Sequence, residues 1–297
     1  MPAAPREAGW RIAPVDLWRA SLFAPMTFPA LRPLLFADPA RRVALGATAA
    51  GEPVGLGLCE RGPEGRARLH SIYVAEAFRG RGLATALLER LEVEAAAAGA
   101  WELSAVWMTG EPSTAAVERV LARRGWEPPA LRMYVLKSDH PSIDRARWMT
   151  RRLDPGFETF LWKDLTEAES LALHRRQETA PVPAPLFPFD LNPYFEPHTS
   201  LGVRHRGEVV GWVVNHRFDE RTLRFTCSYL REDLQGRGRL IAVYAESIDR
   251  MRPIGLSEAI WTVPAEFPRM VAFARRHLMP YATSIRETRG SRKLLRA

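Results

Sequence analysis

Two stretches of this chain carry nearly the same message 156 residues apart. Leu45-Gly46 returns as Leu201-Gly202, Gly51-Glu52 as Gly207-Glu208 and Val54-Gly55 as Val210-Gly211. Further on, Gly80-Arg81-Gly82 returns as Gly236-Arg237-Gly238, and Gly99 with Glu102 as Gly255 with Glu258. A constant offset held this far leaves no room for an insertion between the copies, so the chain reads as one fold written twice. At 297 residues each copy has about 150, enough to bury roughly 70% of its unfolded surface in a core of its own.

Periodicity gives the elements of each copy. Trp10 to Val15 reads as a strand, and Asp16 to Ala37 as helix interrupted at Pro25, Pro29 and Pro33. Arg42 to Ala49 and Val54 to Glu60 flank the polar tip Gly51-Glu52 as a hairpin. In the third strand, Arg68 to Ala75, simple alternation puts His70, Ile72 and Val74 on one face and Leu69, Ser71 and Tyr73 on the other. Leu83, Leu87, Leu88 and Leu91 then recur at helical spacing up to Gly99, before a strand at Trp101 to Trp107, a helix at Ser113 to Arg124 closed by Gly125, and a final strand at Arg132 to Leu136. The second copy repeats the order from Thr159 to a last strand near Ser284 to Thr288.

The expected class is α+β, with two domains in tandem, each a mixed, mostly antiparallel sheet flanked by helices. The expected boundaries are residues 1–137, a linker at 138–156, and residues 157–297. Pro181 to Pro197 is too proline-dense for regular structure and reads as an ordered apolar loop beside a cleft or as a packing cover over an exposed sheet edge.

Composition narrows the function classes. An apolar fraction of 46% and a charged fraction of 26% suit a soluble globular protein. No apolar run approaches the ~20 residues of a membrane span, and Met1 to Trp10 lacks a basic segment followed by an apolar stretch, so a cytoplasmic protein without a membrane partner is expected. Cys59 and Cys227 sit in apolar runs without metal-ligand spacing, which reads as two buried thiols and no metal site. The net charge of +8 is arginine scattered among acidic residues, and its densest run, Arg145 to Arg152, lacks the interleaved aromatics of a single-strand binding surface. No nucleic-acid partner is expected.

The chemistry is expected at the first glycine turn. A strand passing through Arg79-Gly80-Arg81-Gly82-Leu83-Ala84 into a helix presents successive N–H groups and the positive end of the helix dipole to an anion such as a diphosphate. It lacks the Gly-Lys-Ser/Thr of a nucleotide P-loop and the glycine spacing of the dinucleotide fingerprint. The second turn carries Leu240 where the first has the small Ala84, which crowds the same approach.

Val74, then Arg79-x-x-Gly82-x-Ala84 opening an amphipathic helix, then a strand and a helix closing at Arg124-Gly125-Trp126, resembles the acetyl-coenzyme A site of the GNAT acyltransferase superfamily over most of residues 10 to 137. Gln235-x-x-Gly238-x-Leu240 is similar but degenerate, so the whole chain resembles a tandem GNAT protein. The resemblance implies an N-acetyltransferase with acetyl-CoA as donor and a small-molecule or peptide amine as acceptor, attacking directly in a ternary complex. It implies coenzyme contacts from Ile72, Tyr73, Val74, Arg79, Gly80, Arg81, Gly82, Leu83, Ala84, Thr85 and Thr114. His70 is the first candidate for the base, with a histidine satisfied by a backbone carbonyl as the alternative; Glu102 is the second candidate. Leu121 stands where the family often has a tyrosine acid, leaving Tyr134, Tyr73 or water for that role. A coenzyme-binding sensor without turnover, and transfer of a longer acyl chain, are the competing readings. The two copies can act as an internal pseudo-dimer within a monomer, or the chain can form a homodimer.

Overall fold

The computed structural model describes residues 9–190 and 194–295. The first repeat runs through strand β1 (Arg11–Pro14), short helices α1 (Ala20–Phe23) and α2 (Arg32–Leu35), strands β2 (Arg42–Ala49), β3 (Glu52–Arg61) and β4 (Arg66–Val74), helix α3 (Leu83–Ala97), strand β5 (Glu102–Met108), helix α4 (Thr114–Arg123) and strand β6 (Ala130–Asp139). A short helix α5 (His140–Ile143) follows. The second repeat runs through β7 (Phe157–Leu161), α6 (Glu167–Thr179), β8 (Leu201–His205), β9 (Glu208–Arg217), β10 (Thr222–Leu230), α7 (Arg239–Asp249), β11 (Glu258–Pro264), α8 (Pro268–His277) and β12 (Ser284–Leu294).

The compact units do not end where the repeats end. One comprises residues 1–131 and 288–297, the other residues 132–287. In the first unit the strand order is β1-β2-β3-β4-β5-β12, with β12 antiparallel to β5 from Thr288 opposite Met108 to Leu294 opposite Glu102. The second unit has the order β6-β11-β10-β9-β8-β7, with β6 antiparallel to β11 from Asp139 opposite Glu258 to Met133 opposite Pro264. The closing strands are therefore exchanged relative to boundaries drawn at 137 and 157. They occupy equivalent places in the two repeats, so a repeat in the sequence leaves open which penultimate strand each one joins.

Helix α3 forms against one face of the first sheet because its leucine stripe has nowhere else to be buried. Leu83, Leu87, Leu88 and Leu91 pack with Leu45, Leu69 and Leu103. Glycines let the helix lie close, since a Cβ built on Gly57 would stand 2.6 Å from Leu91. On the opposite face, Phe23 and Leu35 cover Ala44, Leu56 and Leu58, with the Phe23 ring over Gly46.

In the second unit α7 takes the place of α3, burying Ile241, Val243, Tyr244 and Ile248 in the largest core of the chain. The face that α1 and α2 cover in the first unit is covered here by the proline-rich segment. Val182 and Phe187 pack with Trp162, Trp212 and Cys227, and the Leu186 carbonyl accepts from both the Trp212 indole and the Cys227 thiol. Its described residues thus pack over a sheet face, where a cover over a sheet edge is expected from the sequence. Burial pushes the Cys59 thiol well above its ordinary range and that of Cys227 up to about 12, so both are inert thiols at neutral pH.

Candidate functional site

Strands β4 and β5 are paired in parallel only from Arg66 opposite Glu102 to Leu69 opposite Ala105, and then part. From there β4 stays with β3 as far as Val74, while β5 stays with β12 as far as Met108. The gap has a polar lining on its β4 side. Because the Ala75 N–H bonds the Val54 carbonyl, alternation along an antiparallel ladder turns the peptides of Ser71 and Tyr73 toward β3, and the N–H and C=O of Ile72 and Val74 toward the gap. One of these outward groups is used at once: the Val74 carbonyl accepts the Arg79 Nε–H at 3.1 Å, which draws the turn back onto the strand end.

The turn itself is open. Gly80 and Gly82 have φ of 75° and 91°, which glycine adopts without a steric cost, and a Cβ on either would meet nothing within 4 Å. No side chain caps α3, so its opening N–H groups on Leu83, Ala84 and Thr85 face outward with the dipole behind them. Outward N–H groups thus stand at two places, Ile72 and Val74 beside the gap and Leu83 to Thr85 at the helix start, while those of Ala75, Phe78 and Arg79 between them are bonded to carbonyls. Tyr73 shares the strand but turns its peptide away. Leu83 is buried and offers only its main chain. Thr114 opens α4, its hydroxyl accepting the Glu111 N–H at 3.2 Å.

The second copy keeps the backbone of this site and fills its space. Gly236 and Gly238 have φ of 90° and 70°, and the Gln235 amide bonds the Leu230 carbonyl at 2.8 Å as Arg79 does Val74. Strands β10 and β11 likewise part after Phe225 opposite Trp261. However, the Arg151 guanidinium lies over the turn and donates to the Arg237 carbonyl, and a Cβ on Gly238 would stand 2.5 Å from its Nε. Where the strands part, Leu69 and Ala105 are replaced by Phe225 and Trp261, stacked at 4.8 Å, with Tyr244 and Phe273 closing behind them. The open turn, and the parting bordered by the smaller Leu69 and Ala105, both belong to the first unit.

His70 lies at that parting, in a position simple alternation misplaces. The register runs from Leu58 opposite Ser71 to Cys59 opposite Leu69, leaving His70 as the extra residue of a β-bulge. The bulge breaks the two-residue period, so Leu69, Ile72 and Val74 share the α3 face and His70 turns to the opposite one, 16% exposed, with Nε2 2.9 Å from Glu60 Oε2. The expected face shared with Ile72 and Val74 is corrected accordingly. Its partner is a carboxylate, not a backbone carbonyl. Glu60 is the residue sequence reading missed, and the repeat holds a signal for it: the equivalent His216 and Thr226 also bond across the strands at 2.9 Å, at the equivalent bulge.

The other two catalytic candidates are elsewhere. Glu102 starts β5 opposite Arg66, three residues before the parting, and is paired with Arg292 at 3.6 Å. Its repeat partner Glu258 is held below the usual carboxylate range by Lys137 and by the Thr222 hydroxyl, again a structural pair. Tyr134 belongs to the second unit, opposite Val263, where its hydroxyl accepts from Arg275 at 3.2 Å. Neither is brought to His70 within the first unit.

Residues 9–126 match the acetyltransferase (GNAT) family. No curated protein matches the chain. Among solved structures, a tandem GNAT protein from the clavulanic acid biosynthesis pathway superposes with a TM-score of 0.60 at 13% identity, covering 97% of this chain and 99% of that one. A GCN5-related N-acetyltransferase from Sphaerobacter thermophilus gives 0.58 at 14%, covering 98% and 97%. A fungal GCN5-related glucosamine N-acetyltransferase region, within a multi-domain β-N-acetylglucosaminidase, gives 0.61 at 13% over 98% of this chain and 39% of that one. At such identities these likenesses establish the fold. Among the described residues, no helix is long and apolar enough to cross a membrane.

Proposed function

We propose that this chain, whose residues 9–126 match the acetyltransferase (GNAT) family and which shares the fold of a tandem GNAT protein, is an N-acetyltransferase working through its first unit alone, with acetyl-CoA as donor and an amine as acceptor. The observation that carries this reading is the contrast between the copies: one turn is open and its strand parting is bordered by Leu69 and Ala105, whereas the other turn is covered by Arg151 and its parting is bordered by the stacked rings of Phe225 and Trp261. The residues fit a diphosphate carrier. Main-chain donors from Gly80 to Thr85 take the diphosphate, with no side chain to displace, and the outward N–H and C=O of Ile72 and Val74 suit the amides of an extended arm, which binds as an added strand.

The thioester supplies an activated acyl carbonyl with a thiol leaving group, so little more than a positioned, deprotonated amine is required. His70 is the group for that proton. With its Nε2–H donated to the Glu60 carboxylate, the neutral ring keeps its lone pair on Nδ1, available to the incoming ammonium directly or through water. Glu60 thereby acts as a positioning residue. Outward N–H groups of β4 are the donors for the negative charge that develops on the carbonyl oxygen.

Paired variants test this reading. Arg79→Glu removes the clamp on Val74 and should abolish coenzyme A binding by calorimetry and thiol release from acetyl-CoA with an amine panel, whereas Gln235→Glu should leave both intact. Absence of heat with the unmodified protein, or loss of binding with Gln235→Glu alone, would overturn the assignment.

A further inference from the structure

On the side of the strand parting away from the glycine turn, β3, β4 and β5 form a shallow, open cavity of about 430 Å³ between Glu60, Arg66, Arg68 and Ser104, with Arg41 also in its lining. The register fixes what faces it. Glu60 stands opposite Arg68, and Arg68 opposite Ser104, so these side chains share the face to which the bulge turns His70. Arg66 is two residues along the same face. Arg61 also borders the cavity, its guanidinium held to the Ala98 carbonyl.

The charge there is unbalanced. Against four arginines the lining offers one carboxylate, Glu60, which His70 engages at 2.9 Å and Arg41 reaches only at 3.7 Å. Glu102, opposite Arg66, adds a second carboxylate beside the lining, 3.6 Å from Arg292, whose Nε is bonded to Glu127 at 2.9 and 3.0 Å. Among the described residues the Arg68 side chain has no hydrogen bond or ion pair, and the Arg66 guanidinium only lies over the Trp101 ring at 5.7 Å. These two exposed side chains leave strand β4 one and three residues before the last paired position Leu69, about 3 and 10 Å of backbone rise from the start of the parting.

Resting on the transferase reading above, we infer that this cavity is the acceptor site and that the acceptor is an amine carrying a carboxylate or phosphate, which Arg66 and Arg68 bind while the nitrogen is presented at His70. Planar guanidiniums bind both anions through two parallel hydrogen bonds. The same positive field disfavours polycationic amines and lowers the pKa of the acceptor ammonium, which eases its deprotonation.

Matched dipeptide amides test the inference on the full chain: glycyl-glutamate amide against glycyl-glutamine amide, and glycyl-phosphoserine amide against glycyl-serine amide, with thiol release from acetyl-CoA as the readout. The anionic member of at least one pair should have a kcat/KM higher by about ten- to a hundredfold, the scale of a charge-assisted bidentate contact. Which pair shows it separates carboxylate from phosphate. The Arg66→Gln, Arg68→Gln double variant should lose that preference through KM, with circular dichroism and coenzyme A affinity unchanged. Turnover that is equal within pairs, or favours the neutral members, overturns the inference and leaves the transferase reading standing. Absence of turnover with every amine overturns that reading instead. The cavity is then judged by calorimetry with N-acetyl-glycyl-glutamate amide and N-acetyl-glycyl-phosphoserine amide: binding of either that the double variant loses sustains the anion site, and no binding of either, or binding the variant keeps, removes it.

Discussion

A histidine on a strand is ordinary; one extruded by a bulge onto a carboxylate beside a parted pair of strands is placed for proton transfer. Replacing His70 by Ala should lower kcat about a hundredfold or more, the usual scale for losing a general base, with the calorimetric affinity for coenzyme A unchanged. Glu60→Gln should lower kcat by a smaller factor, because the ring survives and only its orientation is lost. An unaltered kcat in His70→Ala would remove it from the chemistry. The second unit offers a residue whose role is purely structural. Two bonds from Arg204, at 2.6 and 3.1 Å, and the Thr166 cap hold the Glu169 carboxyl below its ordinary value of 4.5, at about 2. A depressed carboxylate contributes stability that is complete above pH ~4.5 and is lost as the pH falls toward ~2, here on the order of 2–3 kcal/mol. Urea unfolding at pH 6 and pH 3 should show the larger part of that loss, about 2 kcal/mol, the remainder going below pH 3, and Arg204→Met should flatten it.

At the scale of elements, the parting of β4 from β5 matters only if the space it opens stays empty. Ala105→Trp copies into the first unit the residue that fills the second, and should abolish coenzyme A binding while the far-ultraviolet spectrum is retained; undiminished binding would show that the gap is not the site. The turn and its helix were legible in the sequence, because a glycine pair ahead of a leucine stripe has few other uses. The face of His70 was not, since a bulge is set by the pairing of two strands and one extra residue reverses every assignment beyond it. The same blindness applies to β12. At the offset of 156 residues Leu136 corresponds to Arg292, but β12 sits one residue out of step with β6, so Ser291 is buried and Lys293 reaches Glu92 at 2.7 Å. Glu60 was missed because a carboxylate ten residues from a histidine carries no local pattern. Only the shape of the β3–β4 hairpin joins them.

At the scale of the whole molecule, the exchange of closing strands makes each unit depend on the other repeat. Lys293, on β12, joins Arg124 and the Trp126 indole around the buried carboxylate of Glu92, so the first core includes a charge supplied from the far end of the chain. Removing one partner of a buried ionic cluster typically costs about 3–5 kcal/mol, and loss of the whole strand should cost more. A chain ending at Glu287 should therefore show lost hydrogen-exchange protection in β5 and a lowered Tm, and residues 1–137 alone should fail to fold. Cooperative unfolding of that fragment at the temperature of the full chain would contradict the dependence.

The strand that finishes the first unit also sets a timetable. Thr288 follows its partner Met108 by 180 residues. At roughly 5–20 residues per second of synthesis, the amino-terminal half waits about 10–35 s on the ribosome with one sheet edge bare, and assumes its final form only after nearly all of the second half has emerged.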